Sequence, residues 1–262
     1  MRAPTRDPAN VKEWKPRPDL EGRYSTGIAD FDRLLDGGFR RGSVVLVSYD
    51  ETVTTEDLDL LFFPTILNML YHSRGMISIL PSRDSPHSFR ARLTRFATRR
   101  RFDSRVRIVD YAGEDEGLSY VVTIRNRAID PGPGASSEKD KRAALAKMVA
   151  AEKAVAGSRN KPFLELYALE VMETLMGPEQ AARMFFAGAK RSRGMNNLLI
   201  VPMGPGLGSA VAARRLADSE FELHHDEVGL IIRGIRPSFP GHVVTIDGAS
   251  GSPCVEFVPR PS

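Results

Sequence analysis

One cysteine, Cys254, stands among 262 residues. An intramolecular disulfide and a cysteine-based metal cluster are therefore excluded, and a reducing compartment fits. Cys254 itself reads as a small buried apolar residue near the last strand. No apolar run reaches the roughly 18 residues that a spanning helix needs, and the basic-then-apolar leader of a secreted protein is missing from the first residues. A cytoplasmic location without membrane association is the expectation. Charge excess is small: 37 Lys and Arg against 33 Asp and Glu leave a formal +4 and a pI near 9.3. That is well short of a dedicated DNA-coating protein. No Ser-His-Asp or Cys-His spacing supports nucleophilic catalysis. His224 and His225 alternate across a hairpin, so with Asp226 they read as a turn and not as a metal set. Neither a metal nor a cofactor is expected.

What is present suffices for one large core, with 42% hydrophobic and 27% charged residues in a chain too short for two ordinary domains. Residues 1–23 carry Pro4, Pro8, Pro16 and Pro18 among alternating charges and read as an extended N-terminal arm; 24–262 read as one domain. From Ser43 on, short β-rich runs alternate with helical stretches, the pattern of a parallel sheet covered by helices. Strands are expected at Ser43–Ser48, Met76–Leu80, Val106–Asp110, Phe163–Tyr167 and Leu198–Pro202. Between them, Thr55–His72 reads as a helix with Pro64 inside it. Phe89, Leu93 and Phe96 mark one apolar stripe on a helix over Pro86–Arg101. Ala181, Met184 and Phe185 mark another, where Gly188 leaves the face open to close packing. Pro131–Ser137 is a loop, and Ser137–Ala156 a surface helix. Four β runs from Phe221 to Val258, separated by turn residues, predict a closing antiparallel meander.

The segment Tyr24–Leu46, YSTGIADFDRLLDGGFRRGSVVL, resembles the opening of the ATP-binding core in KaiC-like and archaeal RadA-type members of the RecA superfamily. It combines a Ser-Thr-Gly-Ile turn, a short helix ending at Gly37 and Gly38, and a turn at Gly42 before the first strand. Similar echoes occur at Ser82–Phe89, Gly177–Arg183 and Arg214–Leu223, so the resemblance runs from Tyr24 to the C-terminus. It implies an α/β fold: a RecA-like core with a mostly parallel central sheet flanked by helices and a C-terminal antiparallel β meander.

The family follows its first strand with a phosphate-binding loop, in which glycines expose backbone N–H groups, a Lys meets the terminal phosphates and a hydroxyl binds magnesium. Here the chain reads SYDETVTTEDL. With Ser48 and Leu58 in register, Tyr49, Thr52 and Thr54 replace glycines, Thr55 replaces the Lys and Glu56 the hydroxyl. Asp50, Glu51, Glu56 and Asp57 crowd the helix start, and Thr54 and Asp57 have capping-box spacing. An incoming triphosphate would meet like charge at about 4 kcal/mol per close pair, for an effective dielectric near 20. By the resemblance, Glu165 stands at the magnesium-binding position of the Walker B strand and retains the chemistry to ligate a hard cation. Arg83 and Asp84 stand where two adjacent carboxylates are usual, and Arg236 is what remains of an interface Lys-x-Arg.

Two further features carry alternatives. Arg90–Arg107 holds eight arginines, among them Arg90, Arg92, Arg95, Arg99, Arg100 and Arg101. They form either a patch for nucleic acid or an acidic partner, or a solvated helix face. MGPGLGS at Met203–Ser209 either approaches a ligand closely or is a flexible connector. The resemblance implies a non-hydrolysing pseudo-ATPase that serves as a regulatory or assembly subunit, with an active paralogue, another protein or its own copies as partner. A nucleic-acid-binding accessory protein is the alternative, and an ATPase remodelled around Asp84 and Glu165 ranks third.

Overall fold

The computed structural model describes residues 14–111, 117–124, 138–157, 160–247 and 254–260. The Pro131–Ser137 loop and the burial of Cys254 lie outside the described residues. In chain order the elements are β1 (Arg23–Tyr24), α1 (Ala29–Leu34), β2 (Phe39–Arg40), β3 (Val44–Tyr49), α2 (Thr55–Tyr71), β4 (Met76–Ile79), α3 (Pro86–Leu93), α4 (Arg99–Arg105), β5 (Val106–Asp110) and β6 (Val121–Thr123). There follow α5 (Glu138–Ala156), β7 (Leu164–Tyr167), α6 (Leu169–Met176), α7 (Pro178–Met195), β8 (Leu198–Met203), α8 (Ala210–Leu216), β9 (Ser219–His225), β10 (Leu230–Arg236), β11 (Ser238–Asp247) and β12 (Cys254–Pro259).

Ten strands form one sheet in the order β12-β11-β10-β9-β3-β8-β7-β4-β5-β6. Strands β9 through β6 in that order are mutually parallel, and β9 to β12 pair antiparallel as the expected meander. Because side chains alternate along a strand, each central strand feeds two cores. Val45, Val47, Leu164 and Leu166 pack under α1 to α4, while Val44, Leu46, Ile77 and Val201 pack under α5 to α8. The result is a three-layer α/β fold with all five expected core strands in place.

The opening of the Tyr24–Leu46 segment forms a clamp on α2. Asp32 accepts hydrogen bonds from Ser25 Oγ at 2.5 Å and from the Thr26 N–H at 2.7 Å. The turn so fixed receives Thr65 Oγ1 on the Thr26 carbonyl and Asn68 Nδ2 on the Ser25 carbonyl, at 2.9 and 3.2 Å. A Cβ at Gly27, where φ is +81°, would lie 2.5 Å from the Pro64 carbonyl oxygen. Only glycine permits that approach.

Two expectations need correction. The single helix over Pro86–Arg101 is two helices, α3 and α4, because Thr98 adopts an extended conformation and caps a new start by accepting the Arg101 N–H at 3.2 Å. The break lets Phe102 join Phe89 and Leu93 in the core, while Phe96 remains half-buried. Gly188 is buried, yet a Cβ there would meet nothing within 4 Å, so close packing does not require it. The Ala- and Lys-rich α5 is the expected surface helix, held by one face: Val155 is buried and meets Gly75 so closely that a Cβ there would lie 2.5 Å from it. At the other end of the chain, Trp14 is buried, and the segment after it docks through Asp19, which pairs with Arg74 and accepts the Ser25 N–H.

Candidate functional site

The loop between β3 and α2 lies at the C-terminal edge of the parallel strands, the place where open α/β sheets bind ligands. Its own side chains occupy its donors. Asp50 accepts the Thr52 N–H at 2.9 Å and also the Thr52 hydroxyl, and Val53 turns inward to 1% exposure. Thr54 caps α2, with its oxygen accepting the Asp57 N–H at 3.2 Å while Asp57 Oδ2 accepts the Thr54 N–H at 2.8 Å. A carboxylate thus sits on the helix N-terminus that a phosphate would use.

The meander closes over this loop. The His225 N–H donates to Thr52 Oγ1, and His225 Nε2 lies against Asp57 Oδ2, both at 3.0 Å. Burial pushes the Asp57 carboxyl up, but the hydrogen bonds from His225 and Thr54 outweigh it and hold the group below its usual range. Tyr49 crosses β8 above Gly204 and donates to Glu170 Oε1 at 3.2 Å. Burial raises the Tyr49 phenol, reinforced by Glu170, and burial likewise raises the Glu170 carboxyl, whose Oε2 is buried and, among the described residues, has no hydrogen-bond partner that meets the usual geometry. One turn along α6, Glu173 accepts the N–H groups of Gly208 and Ser209 at 2.8 and 3.0 Å and the Ser209 hydroxyl at 2.5 Å. The MGPGLGS loop therefore already holds an anion, and that anion is part of the chain. Burial opposes ionisation of Glu173, and these three donors more than compensate.

Of the degenerate-loop residues, Tyr49, Asp50, Thr52 and Thr54 form this network. Thr55 is half-buried, and Glu51 and Glu56 face solvent. Glu165 is not brought to it. In register with Leu199, and through it with Val44, Glu165 sits at the opposite end of β3 from the loop, about 16 Å away at about 3.3 Å per residue. It is fully buried and accepts Ser192 Oγ at 2.6 Å, Asn197 Nδ2 at 2.8 Å and Arg191 at 2.9 Å. Its lone pairs serve the packing of α7 and not a cation. Asp84 is likewise engaged: Arg92 grips both its oxygens at 3.0 and 2.6 Å and reaches Asp59 at 2.6 Å. Burial pushes the Asp59 carboxyl up to about 6, and Arg92 does not fully counter it.

The arginine stretch is dispersed in the same way. Arg92 is committed as described, Arg90 pairs with Asp103 at 2.8 and 2.9 Å, and Arg101 stacks on the Tyr71 ring at 3.7 Å. Arg95, Arg99 and Arg100 stay exposed and, among the described residues, without ion-pair partners. Arg236 donates to the Ala217 carbonyl at 2.6 Å, at the N-terminal edge of the sheet, far from this loop. The sequence reading missed Glu170 and Glu173. Their signal was a pair of carboxylates at three-residue spacing on the helix that follows the Leu164–Tyr167 strand.

Residues 13–257 match the family model described as GvpD basic region 2. Over 249 residues the chain is 24% identical to Protein GvpD2 of Halobacterium salinarum, covering 92% of this chain and 47% of that one. Over 104 residues it is 32% identical to Protein GvpD1 of the same organism, covering 39% of this chain and 19% of that one. It therefore spans about half the length of GvpD2, and the match to GvpD1 is shorter still. The crystal structure of a KaiC-like protein from the hyperthermophilic archaeon Pyrococcus horikoshii OT3 superimposes with a TM-score of 0.62 at 13% identity, covering 92% of this chain and all of that one. The fold is KaiC-like, of the RecA type, as the sequence resemblance implied.

Proposed function

The chain belongs to the GvpD basic region 2 family, and on that premise we propose that it is a non-hydrolysing RecA-fold pseudo-ATPase acting as a regulatory or assembly subunit. Its partner is an active KaiC-like paralogue, another protein or further copies of itself. One observation carries this reading: Asp50, Asp57 and Glu173 occupy the backbone and hydroxyl donors at the C-terminal edge of the sheet. A nucleotide would have to displace three carboxylates and stay beside them. Division into an arm of residues 1–23 and a RecA-like domain of 24–262, and a cytoplasmic place of action, belong to the same proposal. No helix among the described residues is long and apolar enough to cross a membrane.

The test is hydrogen exchange on the full chain with and without millimolar Mg-ATP, together with a phosphate-release assay. No added protection over residues 49–57 and no release are expected. Protection there with phosphate release would overturn the reading and restore an ATPase built on a carboxylate-rich loop.

Nucleic-acid binding is the second reading, and the three exposed arginines Arg95, Arg99 and Arg100 favour it. Three phosphate contacts predict that affinity for duplex DNA falls about 40-fold between 50 and 200 mM salt. Absence of binding at 50 mM would remove this reading.

A further inference from the structure

At the opposite edge of the sheet, a cleft of about 600 Å³ opens between β2, the start of β3, the end of α7 and the end of β10. It is lined by five arginines, Arg23, Arg40, Arg41, Arg193 and Arg236, which come from four parts of the chain, β1, the end of β2, α7 and β10, and converge on one concavity. Like charges lining one concavity focus the field there and attract an anion. Two carboxylates do so in part: Asp36 meets Arg23 at 3.2 Å and Asp218 meets Arg193 at 3.0 Å. The other three arginines have no carboxylate partner among the described residues. Arg236 commits one nitrogen to the Ala217 carbonyl, Arg41 lies over the Tyr24 ring at 5.4 Å, and Arg40 is exposed.

Ser43 lines the floor of this cleft and is only 5% exposed; its hydroxyl is covered and, among the described residues, has no hydrogen-bond partner, so ligand contacts fall to the arginines. Planar guanidinium groups match phosphate oxygens two at a time, and the volume lies in the range of small-molecule sites. A nucleic-acid strand would instead call for arginines spread along a face.

We propose that this cleft binds a small molecule carrying two or more phosphate groups. The phosphates meet Arg40, Arg41 and Arg236. The site is distinct from the closed loop at the other edge, so it gives the protein a ligand that the loop does not accept.

Two probes separate the sources of such a ligand. Inorganic tripolyphosphate tests the phosphate chain alone, and ATP without magnesium adds a nucleoside. Calorimetric titration at low salt is expected to show micromolar binding of at least one, with protection from exchange over residues 38–43 and none over 49–57. Equal affinity for both assigns recognition to the phosphates, and tenfold tighter ATP assigns part of it to the base. The double variant Arg40→Gln/Arg41→Gln is expected to weaken binding at least tenfold, with a melting temperature near the parent's. Lys153→Gln/Arg183→Gln serves as a surface-charge control and should leave affinity unchanged. Binding by neither probe below 1 mM overturns the proposal, as does an equal drop in affinity in the control. Protection confined to 49–57 would overturn both this site and the pseudo-ATPase reading, whereas protection at 38–43 alone supports both.

Discussion

Glu165 shows how a residue that suits a catalytic role by type serves another by place. Its carboxylate is buried under three donors from the α7 region. Glu165→Ala would leave Ser192 and Asn197 without their acceptor and remove one of the two carboxylates of Arg191, which keeps Glu152 at 2.9 Å. A loss of about 2–3 kcal/mol in urea denaturation is expected, with exchange over residues 49–57 unchanged. A loss below about 0.5 kcal/mol would contradict the burial. Asp59 acts in the opposite sense. Its folded-state pKa of about 6 exceeds the ordinary 3.8, so the folded state carries a penalty at neutral pH that fades as pH falls from above 6 toward 4. Asp59→Asn should remove that dependence and flatten the stability profile between pH 7 and 4 by up to about 3 kcal/mol. Thermal melts of both proteins across that range are the check, and parallel profiles would show that Asp59 is not the titrating group.

The β3–α2 loop and the β9–β10 hairpin form a closed unit held by His225 through Thr52 and Asp57. Both contacts are solvent-exposed, so they govern local opening more than global stability. His225→Ala is expected to speed amide exchange at residues 50–54 several-fold while changing the unfolding free energy by less than about 1 kcal/mol. Unchanged exchange would mean that the Asp50 and Thr54 turns hold the loop alone. Because the Asp57 pKa is lowered on folding, its contribution is present at neutral pH and is lost as pH falls through the lowered value. Protection of the same loop amides, taken relative to their intrinsic exchange rate at each pH, should therefore fall in acid. Glu173, held by Gly208 and Ser209, closes the neighbouring loop by the same means.

Across the whole molecule, the two edges of the sheet have opposite character. The C-terminal edge is filled by the chain's own carboxylates, and the N-terminal edge gathers arginines around an open cleft. Because Asp50 and Asp57 already take the donors that a nucleotide would use at the C-terminal edge, self-assembly should draw nothing from Mg-ATP at that edge. Light scattering after size exclusion of the Arg40→Gln/Arg41→Gln variant, whose other cleft is disabled, is expected to give the same mass with and without Mg-ATP, and a nucleotide-dependent change there would contradict the pseudo-ATPase reading. The order of short apolar runs was enough to predict the parallel strands and the meander, because strand burial on both faces writes itself into local composition. The capping box of Thr54 and Asp57 was equally legible, since it needs only three-residue spacing. Missing from that reading were the break at Thr98, the partners of the arginines and the place of Glu165. The last two depend on contacts far apart in sequence, such as Arg92 with Asp59, and the break at Thr98 on the burial of Phe102 in a core assembled from distant elements. The sequence by itself determined the layers and the replacement of the phosphate-loop residues. Only the tertiary structure decided which charges cancel, because cancellation is set by distance in space, and among the described residues it gathers five arginines beside Ser43 around only two paired carboxylates.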